Sequence, residues 1–336
     1  MNVRRRHISA VALTAVAALG FGTLTACSSD SAAAGDTGSF DVVASFYPMA
    51  FLAERIGGEH VHVTSLTQPG QEPHDLEISA RQTAQLEEAD AALYLKGLQP
   101  SVDEAIGQSP IATKIDAAEL TTLEEHGTEA GHADEHGDEH AHEDEHAHED
   151  EHAHEDEHGH DHEGGDPHIW LDPVRYAEVA EGVGKAFQKA DPDHAADYRK
   201  NTAALVKDLK ALDEKFRTGL ANRTTDVFVT THAAFGYLAE RYGLTEEAIS
   251  GLDPDTEPSG ARVKELQKIA KEDGVTTVFY ETLVSDKTAK TLAGDTGLRT
   301  DVLDPVEGIT DRSRGEDYFQ VMEANLTALR TALGAR

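Results

Sequence analysis

The sequence predicts an α/β protein of two (β/α) lobes with parallel-type sheets, joined by one long rigid helix. Three observations predict it. Short β-rich runs alternate with stretches of helical spacing, the pattern of βα units on a parallel sheet. That alternation occurs twice, once on each side of the chain's middle. Between the two sets lies a run from Asp191 to Leu220 with apolar residues at helical spacing and no glycine until Gly219. A length of 336 residues is enough for about two such domains once a targeting segment is set aside.

The elements follow in order. Arg4, Arg5 and Arg6 precede an apolar, Ala-rich stretch from Ile8 to Leu24 without an acidic residue. It is short for a bilayer span and fits a signal peptide over residues 1–26. Leu24-Thr25-Ala26-Cys27 resembles a bacterial lipobox, and Cys27 is the only cysteine in the chain. Lipid on Cys27 would anchor an extracytoplasmic protein to the cell membrane without a transmembrane helix. The small, polar residues that follow make 27–39 a flexible tether.

The N-terminal lobe is assigned to 40–190. Phe40–Phe46, Val61–Leu66 and Ala91–Leu95 are its strand candidates, and Pro48–Ile56 and Ser79–Glu88 its helices. The linking helix is assigned to 191–220, with Asp191 as N-cap and Pro192 in the first turn. Tyr198, Leu205, Leu209, Leu212 and Phe216 form its apolar stripe, and Thr202 spans the one seven-residue gap. At 1.5 Å per residue the run would be roughly 40 Å long. A helical hairpin arm is the competing reading. The C-terminal lobe, 221–336, repeats the scheme. Its strands are Asp226–Thr231, Thr276–Tyr280 and Thr300–Leu303, and its helices Phe235–Tyr242, Ala261–Glu272 and Asp286–Thr296.

Charge divides the chain differently. There are 63 acidic against 29 basic residues, a formal charge of −34. Residues 124–166 hold 19 of the acids, 12 of the 19 histidines and no Lys or Arg, leaving −15 for the remainder. A net acidic chain does not displace counterions from nucleic acid, so no nucleic-acid partner is expected. A single cysteine excludes an internal disulfide and any multi-thiolate metal site. From Glu139 the tract runs EHAHED three times and then EHGHDH, ending at His162. Having almost no large apolar side chains, it forms no core and is expected to be disordered. An acidic solvated linker does not need imidazoles at this spacing. His140, His142, His146, His148, His152, His154, His158 and His160 therefore read as an auxiliary metal-binding loop for Zn, Cu or Ni.

Four separated residues read as one further metal site. His74 lies in GQEPHDLE just after a strand, and His168 in DPHIWLDP where the acidic tract ends. His232 closes the strand DVFVTT, and Asp304 follows the strand ending at Leu303. Ligands of parallel α/β sheets collect at the carboxyl ends of strands, where His74, His232 and Asp304 fall. Three imidazoles and a carboxylate suit tetrahedral zinc. Spacing alone leaves open that each histidine is a surface residue, since there is no HExxH pair.

The lipobox, GQEPHDLE, the His/Asp/Glu tract before DPHIWLDP, THAAFGYLAERYGL, EPSGARVKELQ, VFYETLV and VLDPVEGI together resemble the zinc-binding solute-binding proteins of ABC transporters. This family of metal receptors includes the zinc-uptake receptor of Gram-negative bacteria. The resemblance covers essentially the whole mature chain. It implies two lobes, a rigid connecting helix and metal in the interlobe cleft. It further implies His74 and His168 as ligands from the first lobe, His232 as the first ligand from the second, and Asp304 at the carboxylate position. Some members use water or another acidic residue there, so Glu281 or water remains an alternative. Three histidines imply Zn²⁺ as cargo, since manganese receptors of the family more often replace one by Glu. The implied partners are an ABC permease and its ATPase, the protein acting as a monomer. The disulfide pair of some relatives is missing.

Glu77 and Asp172 are candidates either to orient ligand imidazoles or to cap helices. His60, His62 and His194 read as surface residues. A hydrolytic metalloenzyme would need a base beside an open coordination position, for which only Glu281 is available, and no catalytic residue is assigned. A storage or adhesion lipoprotein acting through the tract alone is the other alternative.

Overall fold

The computed structural model describes residues 39–127 and 165–336. The first lobe is a four-stranded parallel sheet of β1 (Phe40–Ala44), β2 (Val61–Ser65), β3 (Ala91–Tyr94) and β4 (Thr113–Asp116), in the order β2-β1-β3-β4. Helices α1 (Tyr47–Gly57), α2 (Ala80–Glu88) and α3 (Pro100–Gln108) make the crossovers. The second lobe repeats the order with β5 (Val227–Thr230), β6 (Thr245–Ala248), β7 (Thr277–Tyr280) and β8 (Arg299–Val302), arranged β6-β5-β7-β8 and again parallel. Its helices are α6 (Gly236–Tyr242), α7 (Gly260–Glu272), α8 (Lys287–Thr296) and a C-terminal α9 (Tyr318–Ala332). The expected two-lobe α/β architecture is the one observed.

Local chemistry sets the boundaries. Ser79 and Gln82 form a reciprocal capping box on α2, and Ser259 and Asp317 cap α7 and α9. Helices α6 and α8 both end on a left-handed glycine, Gly243 and Gly297. Four elements have weak signatures in the sequence. Strand β4 (TKID) and helix α3 are short, and α9 has no strand partner after it to mark it. Strand β6 (TEEA) has almost no β propensity. Its acids are paired instead: Glu246 accepts from Thr230 Oγ1 at 2.7 Å and Glu247 meets Arg262 at 2.8 Å.

Between the lobes run α4 (Pro173–Ala190) and α5 (Ala195–Gly219). Asp191 does not cap the linking helix. It ends α4, and a 3₁₀ turn at Pro192–His194 precedes α5. The Asp191 carboxylate is engaged by His194 Nδ1 at 2.7 Å and by the Tyr198 hydroxyl at 2.5 Å. The expected stripe of α5 is buried throughout, and Thr202 fills its gap. A Cβ on Gly184 of α4 would lie 2.2 Å from Thr202 Oγ1, so that glycine lets the two helices meet. Helix α5 packs on α1 of the first lobe and on α9 of the second. One continuous apolar cluster accordingly joins Phe46, Trp170 and Leu209 to Phe228, Tyr318 and Leu329. The lobes share a core rather than meeting at a polar hinge. Among the described residues no helix is long and apolar enough to cross a membrane.

Candidate metal centre

Every residue of the site follows the carboxyl end of a strand. His74 lies on the loop after β2, and His232 two residues beyond β5. Glu281 comes directly after β7, and Asp304 and Glu307 follow β8. His168 arrives on the long connection after β4, just before a 3₁₀ turn at Ile169–Leu171 and α4. Strands β5 and β7 flank the point where the second sheet's order reverses, the usual ligand position in open α/β sheets.

His74, His168 and His232 converge as expected. Their fourth partner is Glu307, not Asp304. Glu307 Oε1 stands 3.3 Å from His74 Nε2, 3.5 Å from His168 Nε2 and 3.7 Å from His232 Nε2. The four offered ligand atoms lie within 4.8 Å of one another, and each residue is at most 7% exposed. His168 Nε2 and His232 Nε2 are buried without a hydrogen-bond partner. A buried polar atom left unpaired costs about 1–3 kcal/mol, so two aimed at one point mark a place built for an ion.

Asp304 has a different task. Its carboxylate accepts from Thr282 Oγ1 and from the Val306 N–H, both at 2.8 Å, and its own backbone is bracketed by Asn325. Both oxygens are thereby used inside the turn. Val306 adopts φ +61°, a region a β-branched residue rarely visits, and this reversal aims Glu307 at the cleft. The Pro305 carbonyl accepts from Trp170 Nε1 at 2.6 Å, fixing the turn against the segment that carries His168. An Asp before Pro is a turn former, so the next free carboxylate in VLDPVEGI was the signal for Glu307.

Two carboxylates hold ligand rings from behind. Asp166 Oδ1 lies 2.7 Å from His168 Nδ1 and also accepts the His168 N–H. Glu281 Oε1 lies 2.6 Å from His232 Nδ1 and takes the Thr231 hydroxyl at 2.5 Å. Such contacts fix the tautomer that leaves Nε2 for a metal. Glu281 thus orients a ligand and does not join the cluster. Asp172 caps α4 by accepting from the Val174 N–H, whereas Glu77 is exposed and leaves capping of α2 to Ser79. His60 and His194 stack on each other half-buried, and His62 is exposed.

The electrostatics are those of a site awaiting a cation. Burial alone would push the His168 imidazolium down, but Asp166 and Glu307 reverse this and hold it at about 10. His232 is likewise raised, because Glu281 outweighs the effect of burial. Burial would raise Glu307, yet the three surrounding histidines hold it far below the usual carboxylate range. Asp304 is pushed up to about 6, chiefly by burial. Glu72, beside His74, is pushed up to about 7 for the same reason. The signal segment, Cys27 and the tract histidines from His132 to His162 lie outside the described residues.

Fold and site together define a two-lobed α/β binding protein with a buried three-histidine, one-carboxylate cation site in its cleft. Residues 42–332 match the family described as zinc-uptake complex component A, periplasmic (ZnuA), and the chain belongs to that family. It is 36% identical over 313 residues to the zinc-binding lipoprotein AdcA of Streptococcus pneumoniae, covering 91% of this chain and 58% of that protein. The chain therefore spans little more than half the length of this relative. It is 34% identical to the high-affinity zinc uptake system protein ZnuA of Bacillus subtilis, with 87% of each covered. Among solved structures, the Zn(II)-bound ZnuA-like domain of S. pneumoniae AdcA superposes with a TM-score of 0.68 at 31% identity, covering 88% of this chain and 99% of that one.

Proposed function

We propose that this chain is the extracytoplasmic receptor of a zinc ABC importer, held to the membrane by lipid on Cys27. Zn²⁺ is its cargo, taken by Nε2 of His74, His168 and His232 and by the Glu307 carboxylate. The observation that carries this reading is the pair of unpartnered imidazole nitrogens converging on Glu307 in a buried cleft. Three imidazoles favour zinc over manganese, which prefers oxygen. Membership of the zinc-uptake family and the names of the relatives support the same cargo. A lipobox in the sequence and a relative named as a lipoprotein support the anchor.

Ligands from both lobes meet at one ion, so capture ties the lobes together at the cleft. Their shared apolar core limits the motion to small displacements. A permease with its ATPase would receive the ion when docking separates Glu307 from the first-lobe histidines. Catalysis has no obvious base, because Glu281 is committed to His232 and Thr231. The test is calorimetric titration with zinc and with manganese, beside a His74→Ala, His232→Ala double variant. One tight zinc event that disappears in the variant is expected. Zinc binding that is weak and indifferent to the double substitution would overturn the receptor reading.

A further inference from the structure

A second group of metal-ligating side chains stands at the root of the His-rich tract. Glu124, His126 and Glu240 offer ligand atoms within 4.8 Å of one another. They lie beside a cavity of about 510 Å³ also lined by Ala233, Gly236 and Glu246. His126 is not a loose surface residue. Its Nδ1 lies 3.0 Å from Asp166 Oδ2, its ring meets Tyr237 edge-on at 4.5 Å, and its Nε2 faces Glu240 at 3.2 Å. A carboxylate behind one imidazole nitrogen, with the other nitrogen turned toward further carboxylates, is the support a metal-ligating histidine receives.

The surroundings hold this arrangement in place. Tyr237 Oη takes the Glu124 N–H at 2.9 Å and donates to the Asp166 carbonyl at 2.8 Å. The Asp166 N–H bonds the Glu124 carbonyl at 2.8 Å, so the two ends of the tract are joined. Gly165 permits that closure: its φ is +86°, and a Cβ there would lie 2.9 Å from the Glu124 carbonyl oxygen. Gly236 makes room for the ring, since a Cβ on it would come within 2.4 Å of His126 Cβ. Arg175 pairs with Oε1 of Glu124, which leaves that residue's second oxygen. Asp166 is fully buried and spans both centres, with Oδ1 on His168 and Oδ2 on His126.

We propose that Glu124, His126 and Glu240 form a second divalent-cation site of the zinc class, linked to the inner cluster by the shared Asp166 carboxylate. One imidazole and two carboxylates suit Zn²⁺, but with fewer nitrogen ligands and more exposure than the inner set. The outer ion is therefore held more weakly. It lies where metal gathered by the tract reaches the folded protein.

The experiment uses the full chain with the tract histidines from His132 to His162 replaced by asparagine, and zinc alone as probe. Zinc-edge anomalous diffraction should show an ion among Glu124, His126 and Glu240 besides the inner one. Calorimetry should show two events. His126→Ala, Glu240→Gln and Gly236→Ala should each weaken the second event by at least tenfold and leave the first. Asp166→Asn should weaken both, each by roughly 10–100-fold. The His74→Ala, His232→Ala variant should lose only the first event. If that variant kept both events, the receptor reading would fail while the outer site stood. A single zinc ion per chain, or a second event that His126→Ala and Glu240→Gln leave unmoved, would overturn the outer site. An Asp166→Asn effect confined to the first event would overturn the link.

Discussion

The two lobes share one strand order but furnish the cleft unequally. The first contributes two imidazoles, His74 and His168, while the second contributes one imidazole and the ligating carboxylate, Glu307. The supports differ as well. His168 and His232 each have a carboxylate behind Nδ1, whereas the ion-pair distances to His74 are all to Nε2, from Glu307 at 3.3 Å and Glu72 at 4.0 Å. His74 also sits on an irregular loop and is the most exposed of the four. Two ligands are thus fixed in advance, and the third is held mainly by what lies across the cleft. An ion entering between the lobes meets a rigid half-site and is closed in by His74.

The sharpest way to break this asymmetry is to remove a pre-fixed ligand. His168→Ala and His232→Ala should each lower zinc affinity by more than the 10–100-fold typical of a supporting residue. They should also destabilise the zinc-free protein by about 3–5 kcal/mol, since each strands a buried carboxylate, Asp166 or Glu281. His74→Ala should lose zinc comparably while costing the zinc-free protein far less. Thermal unfolding with and without zinc separates the two quantities. Equal destabilisation by all three would remove the distinction between fixed and closing ligands.

The carboxylates give the next largest contrast. Glu307→Gln should abolish tight zinc binding. Asp304→Asn should cost less than tenfold, because an amide oxygen can still accept the Val306 N–H and the Thr282 hydroxyl can turn to accept. Calorimetry on the pair decides which carboxylate ligates. The supports come next: Asp166→Asn and Glu281→Gln should each cost roughly 10–100-fold in affinity.

Proton linkage sharpens the same picture. His168 is raised to about 10, so in the zinc-free protein it is protonated at neutral pH and must lose that proton to ligate. Zinc affinity should therefore climb about tenfold per pH unit from near pH 7 toward 10. Zinc-free stability should run the other way. A raised histidine contributes fully below its ordinary value of about 6.5, and the contribution fades as pH rises toward 10. Calorimetry in buffers of different protonation enthalpy would register the released proton. Zinc uptake with no net proton release at pH 7 would contradict the charge state assigned to His168.

Much of this was legible in the sequence, and the limits have physical causes. Strands such as FDVVA and TVFY declare themselves by β-branched and aromatic residues, and the three ligand histidines each follow a strand or open a helix. Strand β6 is hidden because its pairing rests on Thr230 and Arg262, contacts no local pattern encodes. Glu307 is hidden behind a turn: strand-end logic stops at Asp304, and the reversal at Val306 that delivers Glu307 depends on Trp170 from the first lobe. His126 was masked by the composition around it, since one histidine among twelve in an acidic tract carries no mark that it alone touches Asp166.

The smallest predicted effect tests whether the lobes really share a core. Helices α4 and α5 meet where Gly184 faces Thr202. The Thr202 hydroxyl is turned back onto the Tyr198 carbonyl at 2.7 Å, so it cannot swing away without giving up that bond. Gly184→Ala should push the helices apart and cost about 1–3 kcal/mol, the usual penalty for overpacking a buried contact. The change lies in the spine joining the lobes and touches none of the four ligands. If the shared core fixes the cleft, zinc affinity should fall along with stability, because His168, on the segment leading into α4, moves against Glu307. If affinity stays level while the unfolding midpoint drops, cleft geometry is set locally, by contacts such as that of Trp170 with Pro305, and the spine carries stability alone.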